Sequence, residues 1–547
     1  MSRAPRQHRA GALRRYPGLI LLVAAAALAI LLPSALNVPQ SGPSTLAEFA
    51  PVPGSGEGRS DISDLGQAGS GGLGFGAGSG GSAQQPAAQA GAPKQGKARL
   101  KRCVGNPPRQ TEDLLSPPCV AFFEGDNGGA TSKGVTGDEV TVVDANSTVT
   151  PQDPRLGQII DCALPVTSDD DLNDQNCKAD MRYFNDRYQT YNRVVHLWKS
   201  HVQNNLQEIN ERRNPFAVAP GGPPSAKVMS VSYTGTLRSA AQKNAPYSVS
   251  FRPDLDDQAR MAASYICLKL VGRRARYSPD LMYQTRTRKF GFIFEDGGDA
   301  GKKRLDDELK AQCNYTVPSS AIYASNPTAV ASLKNDDVTT VIVLLNMTNP
   351  ATTTTFATGL GYFPEWVIPG YNGQVSADTN NNGRTYNSTQ WQNAFGITFE
   401  YRRDARLDQA WYRAYRDGCP ECTEPGAANA PFLASTYDMM SMLFYGIQAA
   451  GPRLTPQNWD KGMHAIPPNG SPNPYKPAAY FAPGNYSYLK DAMEIWWDPS
   501  GLPPGETTAG CYRLPFEGRR FRTGEWTAGD DSVHQAGSPC QGSTVQT

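Results

Sequence analysis

Near the middle of the chain Lys289-Phe-Gly-Phe-Ile-Phe-Glu-Asp296 is a short apolar run, Gly297-Gly298-Asp299 interrupts it, and Ala300 to Leu309 continues with good helix formers. An apolar run of this length, a glycine turn and a helical pattern predict a buried strand, a tight turn and a helix, the opening of a β-α unit. The turn lacks the Lys-Ser/Thr that a phosphate-binding loop needs, and Asp299 would repel an anion, so Asp299 is read as the helix N-cap. The stretch therefore starts a second lobe, and ligand chemistry belongs to the loops on either side of it.

Similar units precede it. Glu139–Val143, Arg193–Trp198, Pro215–Ala219, Lys227–Tyr233 and Tyr247–Phe251 read as strands, and Ala179–Tyr191, Asn204–Arg213 and Asp256–Leu270 as helices, with Pro154–Cys177 irregular. After it come strands at Thr339–Leu345, Glu365–Ile368 and Ala394–Phe399. The helices there are Asn326–Asn335, Thr352–Leu360, Ala434–Ala450 (stopped by Gly451-Pro452) and Pro456–Met463. Strands alternating with helices favour parallel sheets flanked by helices, and the fully apolar 339–345 run fits a strand covered on both faces. From Pro467 onward the chain is loop-rich, with isolated strands near Glu494–Trp497 and Cys511–Arg513; Trp496-Trp497 is read as packing this extension onto the body.

The 547 residues exceed one typical domain, and a formal net charge of +1 gives no reason to expect a nucleic-acid partner. Arg3, Arg6, Arg9, Arg14 and Arg15 precede the apolar run Gly18–Leu32, and no charge follows until Glu48. That pattern predicts a cytoplasmic basic segment (1–16) and an export element (17–38). The element is either a transmembrane anchor or a signal peptide cleaved after a small residue such as Ala35. Residues 39–98, rich in Gly, Ser, Ala, Pro and Gln, cannot bury enough apolar surface to offset chain entropy and predict a disordered linker. About 60 such residues span on the order of 40–45 Å. Residues 99–134, with Pro107, Pro108, Pro117 and Pro118, form a disulfide-bearing collar that is neither helix nor central strand.

Ten cysteines behind an export element favour disulfides. Local pairing (103–119, 162–177, 267–313, 419–422, 511–540) is the lowest-entropy arrangement, although sequence alone does not fix connectivity. The Cys419-Pro-Glu-Cys422 spacing also occurs in redox motifs, but its Pro/Gly surroundings favour a staple. No Gly-x-Ser-x-Gly, His-Glu-x-x-His or phosphate loop is present. His196 and His201 lack a trusted ligand spacing, and Asp378–Gly383 matches only the front half of a calcium loop, with Thr389 at its twelfth position. No metal is expected.

Taken together, Tyr183–Leu197, Phe251–Ala259, Lys289–Asp296, Thr340–Leu344 and the late helix Tyr437–Gly451 resemble the type I periplasmic binding protein family. The resemblance is to its branched-chain amino-acid class and a divergent, membrane-tethered branch. It spans roughly residues 135–465 and rests on segment order. It implies a two-lobed fold: lobe 1 at 135–285, lobe 2 at 286–400, a return segment at 401–466 and a loop-rich extension at 467–547. It also implies an extracytoplasmic receptor of an ABC importer, not an enzyme, that binds a small polar solute between the lobes without a cofactor and partners ABC permease subunits. A membrane-tethered surface sensor or protein-interaction module is the other reading. Ligands of open α/β sheets bind at the carboxyl ends of strands. The expected contacts are therefore Asp144, Asn146, Ser232, Thr234 and Thr236 from lobe 1, and Asn346, Thr348, Tyr371 and Asn372 from lobe 2. The loop Pro369–Gly373 departs from the class by carrying no carboxylate for a ligand ammonium, with Glu400 the nearest in sequence.

Overall fold

The computed structural model describes residues 103–106, 108–144, 159–200, 213–221, 227–323, 326–346, 348–371, 380–392, 394–425, 430–468 and 473–542. The expected export element, the linker, Asn146, Asn372, His201 and most of the Asn204–Arg213 helix lie outside them. Among the described residues no helix is long and apolar enough to cross a membrane.

The first sheet contains β1 (Glu139–Asp144), β2 (Ile159–Asp161), β3 (Val194–Ser200), β4 (Ala217–Val218), β5 (Met229–Ser232) and β6 (Ser248–Ser250) in the order β2-β3-β1-β4-β5-β6. All neighbours are parallel except the antiparallel edge pair β2–β3. The second contains β7 (Phe290–Glu295), β8 (Ser319–Tyr323), β9 (Thr340–Leu344), β10 (Glu365–Ile368), β11 (Ala394–Thr398), β12 (Ala492–Asp498) and β13 (Cys511–Arg513). Its order is β13-β12-β11-β10-β9-β7-β8, with β14 (Arg520–Phe521) also on β12. Within this sheet β8-β7-β9-β10-β11 is parallel, while β12, β13 and β14 add antiparallel. The parallel cores β3-β1-β4-β5-β6 and β8-β7-β9-β10-β11 thus repeat one strand order, with a switch point beside the first strand of each.

The principal helices are α1 (Leu172–Arg187), α2 (Arg238–Lys243), α3 (Leu255–Lys269), α4 (Asp299–Cys313), α5 (Pro327–Asn335), α6 (Asn349–Gly359), α7 (Ala410–Gly418), α8 (Ala430–Ala450) and α9 (Pro456–His464). Side chains from α1, α7, α8 and α9 fill the first-lobe core with Val140, Val142, Val195 and Val231. The second sheet is buried on both faces. Ile293, Val341, Val343, Trp366 and Ile495 point into one cluster; Phe292, Phe294, Ile342, Val367 and Phe395 point into the other. This alternation explains why its strands read as continuous apolar runs.

Several boundaries differ from those read in the sequence. The stretch expected to be irregular contains β2 and the start of α1, whose N-cap Asp171 accepts from Asp174 N. That helix ends at Arg187, before Tyr191 and Asn192 enter left-handed conformations. Gly298, not Asp299, occupies the N-cap of α4, and Asp299 is its first helical residue. Strand β8 and helix α7 are present as well, although the sequence reading placed neither of them. Helix α3, within the expected span of lobe 1, places Ala259, Met261 and Ile266 in the second-lobe core. The C-terminal strands are not isolated: they extend the second sheet, which makes it mixed rather than parallel. Gly451 (φ +77°) does follow α8, as Gly451-Pro452 indicated.

Disulfides join Cys103–Cys119, Cys162–Cys177, Cys267–Cys313, Cys419–Cys422 and Cys511–Cys540. Cys419 and Cys422 are buried with Ala179 and Tyr415 at the end of α7, as expected of a staple.

Candidate functional site

The chain passes between the lobes three times: at 251–254 into α3, at 399–409 into α7 and, in its described part, at 473–491 into β12. The third passage runs beside the first, with Tyr488 N donating to Ser250 O (2.8 Å) and Leu489 N to Phe251 O (2.9 Å). The loop after β5 lies against the first passage as well. Phe251 N donates to Ser232 O (2.8 Å), Arg252 N to Tyr233 O (3.0 Å) and Leu255 N to Thr236 O (3.0 Å). A Cβ at Gly235 would sit 2.0 Å from Pro253 O, so this contact requires glycine.

At the junction Glu400, 1% exposed, is shared between lobes. It accepts from Tyr233 Oη at 2.7 Å, pairs with Arg252 and lies 3.3 Å from Arg403 Nη2. Arg252 covers the Tyr233 ring, which stacks on Phe251. Arg403 continues to Asp438 at 2.6 Å, and Tyr401 Oη donates to Asp438 Oδ1 at 2.7 Å. Burial pushes the Asp438 pKa up to about 6 even though Arg403 opposes the shift. A buried carboxylate with several donors must keep them, because removing it strands their charges.

A second polar bridge uses Asp256, at the start of α3. Its Oδ2 accepts from Arg238 N (3.0 Å) and its Oδ1 from Arg304 Nε (2.8 Å), while Arg238 also pairs with Asp254 and Asp257. The carboxyl ends of β5 and β6 therefore meet those of β7, β10 and β11, the geometry in which an open α/β sheet holds a ligand.

The expected contact residues divide into groups. Ser232 Oγ and Thr234 Oγ1 lie 3.3 Å apart at the exposed end of β5, and Thr236 follows them with its carbonyl engaged by Leu255 N. Asp144 ends β1 at the first switch point, in register with Lys199. Asn346 and Thr348 come together at the second, where Asn346 Oδ1 accepts from Thr348 N (3.1 Å) and Thr348 Oγ1 (2.8 Å). Tyr371 does not present the free aromatic wall expected of it. It is buried in the second-lobe core against Gly301, and its hydroxyl accepts from Arg304 Nη1 at 3.1 Å.

Sequence reasoning missed Glu295, Tyr233, Arg252 and the role of Glu400. Glu295 ends β7, and its Oε1 accepts from Asn346 N (2.9 Å) and Asn349 Nδ2 (2.7 Å), which fixes the switch-point loop. Its place at the end of the central apolar run was the available signal. Among the described residues no group of three or more His, Cys, Asp or Glu is placed to hold a metal ion. His196 is engaged by Asp161, Nδ1 to Oδ2 at 2.8 Å.

No protein-family model and no curated protein matches the chain. Solved structures similar to it are periplasmic binding proteins of ABC transporters. One is an ABC transporter substrate-binding protein from Desulfitobacterium hafniense, 12% identical, with TM-score 0.43 over 69% of this chain and 99% of that one. Another is a fatty acid ABC transporter substrate-binding protein from Thermomonospora curvata (13%, TM-score 0.44, 77% and 100%). A third is a leucine-, isoleucine-, valine-, threonine- and alanine-binding protein from Brucella ovis in a closed conformation (9%, TM-score 0.47, 72% and 98%). The two-lobed reading stands on the repeated strand order and the three passages, independently of these likenesses.

Proposed function

We propose that this protein is an extracytoplasmic solute-binding receptor of an ABC importer that closes its two lobes on a small polar molecule without altering it. The observation that supports the reading best is the pair of sheets with one strand order whose carboxyl ends meet along three passages. A three-strand connection permits one lobe to rotate on the other while Glu400 and Asp256 keep the junction polar and aligned. Ser232, Thr234 and Thr236 are proposed to bind acceptor groups of the solute from one side. Asp144 and the Asn346–Thr348 loop are proposed to meet it from the switch points, with Asn146 and Asn372 as further contacts. Tyr371 is proposed to act from behind, by holding Arg304.

The five disulfides suit an oxidising compartment. Residues 17–38 are proposed to keep the body at the outer face of the cell membrane as an anchor, or to release it if cleaved. The test is thermal unfolding of the purified protein against amino acids, amides, short peptides and sugars. A bound solute at a hundred times its Kd stabilises by about 2.7 kcal/mol. No stabilisation by any member of a broad panel would count against the receptor and in favour of a surface sensor.

A further inference from the structure

The collar reaches the middle passage. Gln110, Thr111, Asp113, Leu115 and Ser116 are buried, and Leu115 joins the first-lobe core. The Cys103–Cys119 disulfide closes the loop that contains them, and Val104 and Arg109 exchange two backbone bonds (2.9 Å each) within it. Asp113 makes the contact with the passage. Its Oδ1 accepts from Leu115 N at 2.6 Å, and its Oδ2 lies 3.4 Å from Tyr401 Oη.

The protons at Tyr401 can be counted. Arg403 Nη1 donates to Tyr401 Oη at 2.6 Å, and the hydroxyl donates to Asp438 Oδ1 at 2.7 Å. A phenol carries one proton, so none is left for Asp113 Oδ2. Asp438 is the firmly held anion of the two, because Arg403 Nη2 also donates to its Oδ2 at 2.6 Å, whereas Asp113 forms no ion pair among the described residues. An ionised Asp113 would keep a buried oxygen without a protein donor. A protonated one donates from Oδ2 to the remaining lone pair of Tyr401 Oη and satisfies both groups. Burial accordingly raises the Asp113 pKa, against the pull of Arg403 and Arg413. Arg413 is itself shared with Glu112 at 3.8 Å, and Arg109 is turned onto the Leu114 carbonyl (3.2 Å). Asp404 and Lys476 face Asp113 with opposite charges, and Tyr188, Tyr437 and Tyr488 complete its surroundings with neutral hydroxyls.

We propose that Asp113 is a proton-operated latch between the collar and the middle passage: protonated, it donates to Tyr401 Oη and clasps the collar to the passage; ionised, it loses that bond and is repelled by Asp438. The folded pKa lies above the unfolded value of 3.8, so the contribution of Asp113 is complete below 3.8 and is lost as the pH rises through the folded pKa. The latch therefore tightens in acid. Gln541 Nε2, from the other end of the chain, holds the Tyr401 carbonyl at 2.9 Å. The same residue of the middle passage is thus gripped from both chain ends, by a group that does not titrate and by one that does. The latch regulates how freely that passage bends, whatever solute the lobes close on.

The test is hydrogen exchange of the full chain at about pH 5 and about pH 8, with each rate corrected for that of the free amide at the same pH. In the wild-type chain the amides of residues 111–116 should lose about tenfold or more of their protection at the higher pH, while those of β1 keep theirs. Asp113→Asn offers Oδ1 to Leu115 N and Nδ2 to Tyr401 Oη whatever the pH, so its collar should stay protected at both. Asp113→Ala offers neither and should be unprotected at both, with β1 reporting that the lobe is folded. Wild-type protection that does not change with pH, or a fall shared equally by β1, would overturn the proposal. So would an Asp113→Asn collar that keeps the wild-type pH dependence or is unprotected at the lower pH, and an Asp113→Ala collar as protected as that of Asp113→Asn.

Discussion

The two lobes begin as the same object and are finished differently. Five parallel strands in one order form the centre of each. The first sheet then takes only the short antiparallel β2 at one edge, and its covering helices α7, α8 and α9 arrive from beyond the second lobe. The second sheet is extended by β12, β13 and β14 from the chain's last quarter. That same segment reaches back over the junction. Arg520 bonds the Glu400 carbonyl, Gln541 Nε2 donates to Tyr401 O at 2.9 Å, and Arg402 Nη1 donates to Glu517 O at 2.7 Å. Repetition of strand order thus sets the shared junction, while the C-terminal segment makes the second lobe the one that carries the brace on the middle passage.

The comparison breaks most severely at Glu400, which belongs to both halves. Glu400→Ala should destabilise the protein by about 3–5 kcal/mol, because Arg252 and Arg403 would be left buried without their shared partner. Urea unfolding measures it, and a loss under about 1 kcal/mol would mean the junction tolerates separation. Next is the clasp of the second lobe. Replacing Cys511 and Cys540 by Ser opens a loop of 29 residues and should remove about 3–4 kcal/mol. Hydrogen exchange should rise along β12 and β13 and remain unchanged in β1 and β3; equal loosening of both lobes would contradict separate finishing.

Acid should also separate the lobes. His534, from the C-terminal segment, stacks on Trp496 at 4.9 Å, and burial, aided by Arg276, lowers its pKa from 6.5 to about 4. The unfolded chain binds this proton first, so stability falls as pH drops from about 6.5 to 4, by about 3 kcal/mol at most. Asp438 at the junction acts in the opposite sense. Its raised pKa means that the folded state takes up a proton below about pH 6, which offsets part of the loss. His534→Phe should flatten the acid limb in a series of thermal unfolding curves, and an unchanged limb would assign the loss elsewhere. The smallest effect is at Tyr371. Tyr371→Phe forfeits one hydrogen bond to Arg304, about 1 kcal/mol, and should leave the affinity of a solute found by thermal shift almost unaltered. A tenfold affinity loss would return Tyr371 to the binding surface.

What the sequence made legible follows from burial. Strands covered on both faces, such as β7 and β9, read as unbroken apolar runs, and α3, α5 and α9 lie within two residues of the spans read for them; in the structure Asp254, Asn326 and Thr455 cap them. Less visible were elements whose identity depends on distant partners. The strand β12 looks isolated until β11 is placed beside it, and β8 has only alternate residues buried. The junction between the lobes was legible as a set of strand ends, but its central carboxylate was not. Glu400 is bonded by Tyr233, 167 positions earlier, and linked through Arg403 to Asp438, 38 positions later, a grouping that no local pattern encodes. Tyr371 failed for a related reason: a tyrosine in a strand-end loop looks available until Arg304 and Gly301 are seen behind it.

The disulfides have one more property. Each cysteine is bonded to the next one along the chain, at separations of 16, 15, 46, 3 and 29 residues. In a polypeptide threaded across a membrane amino terminus first, every thiol would therefore meet its native partner before a third cysteine emerged. The order of emergence alone would select the correct pairs, and no bond would need to be broken and remade for the chain to finish folding.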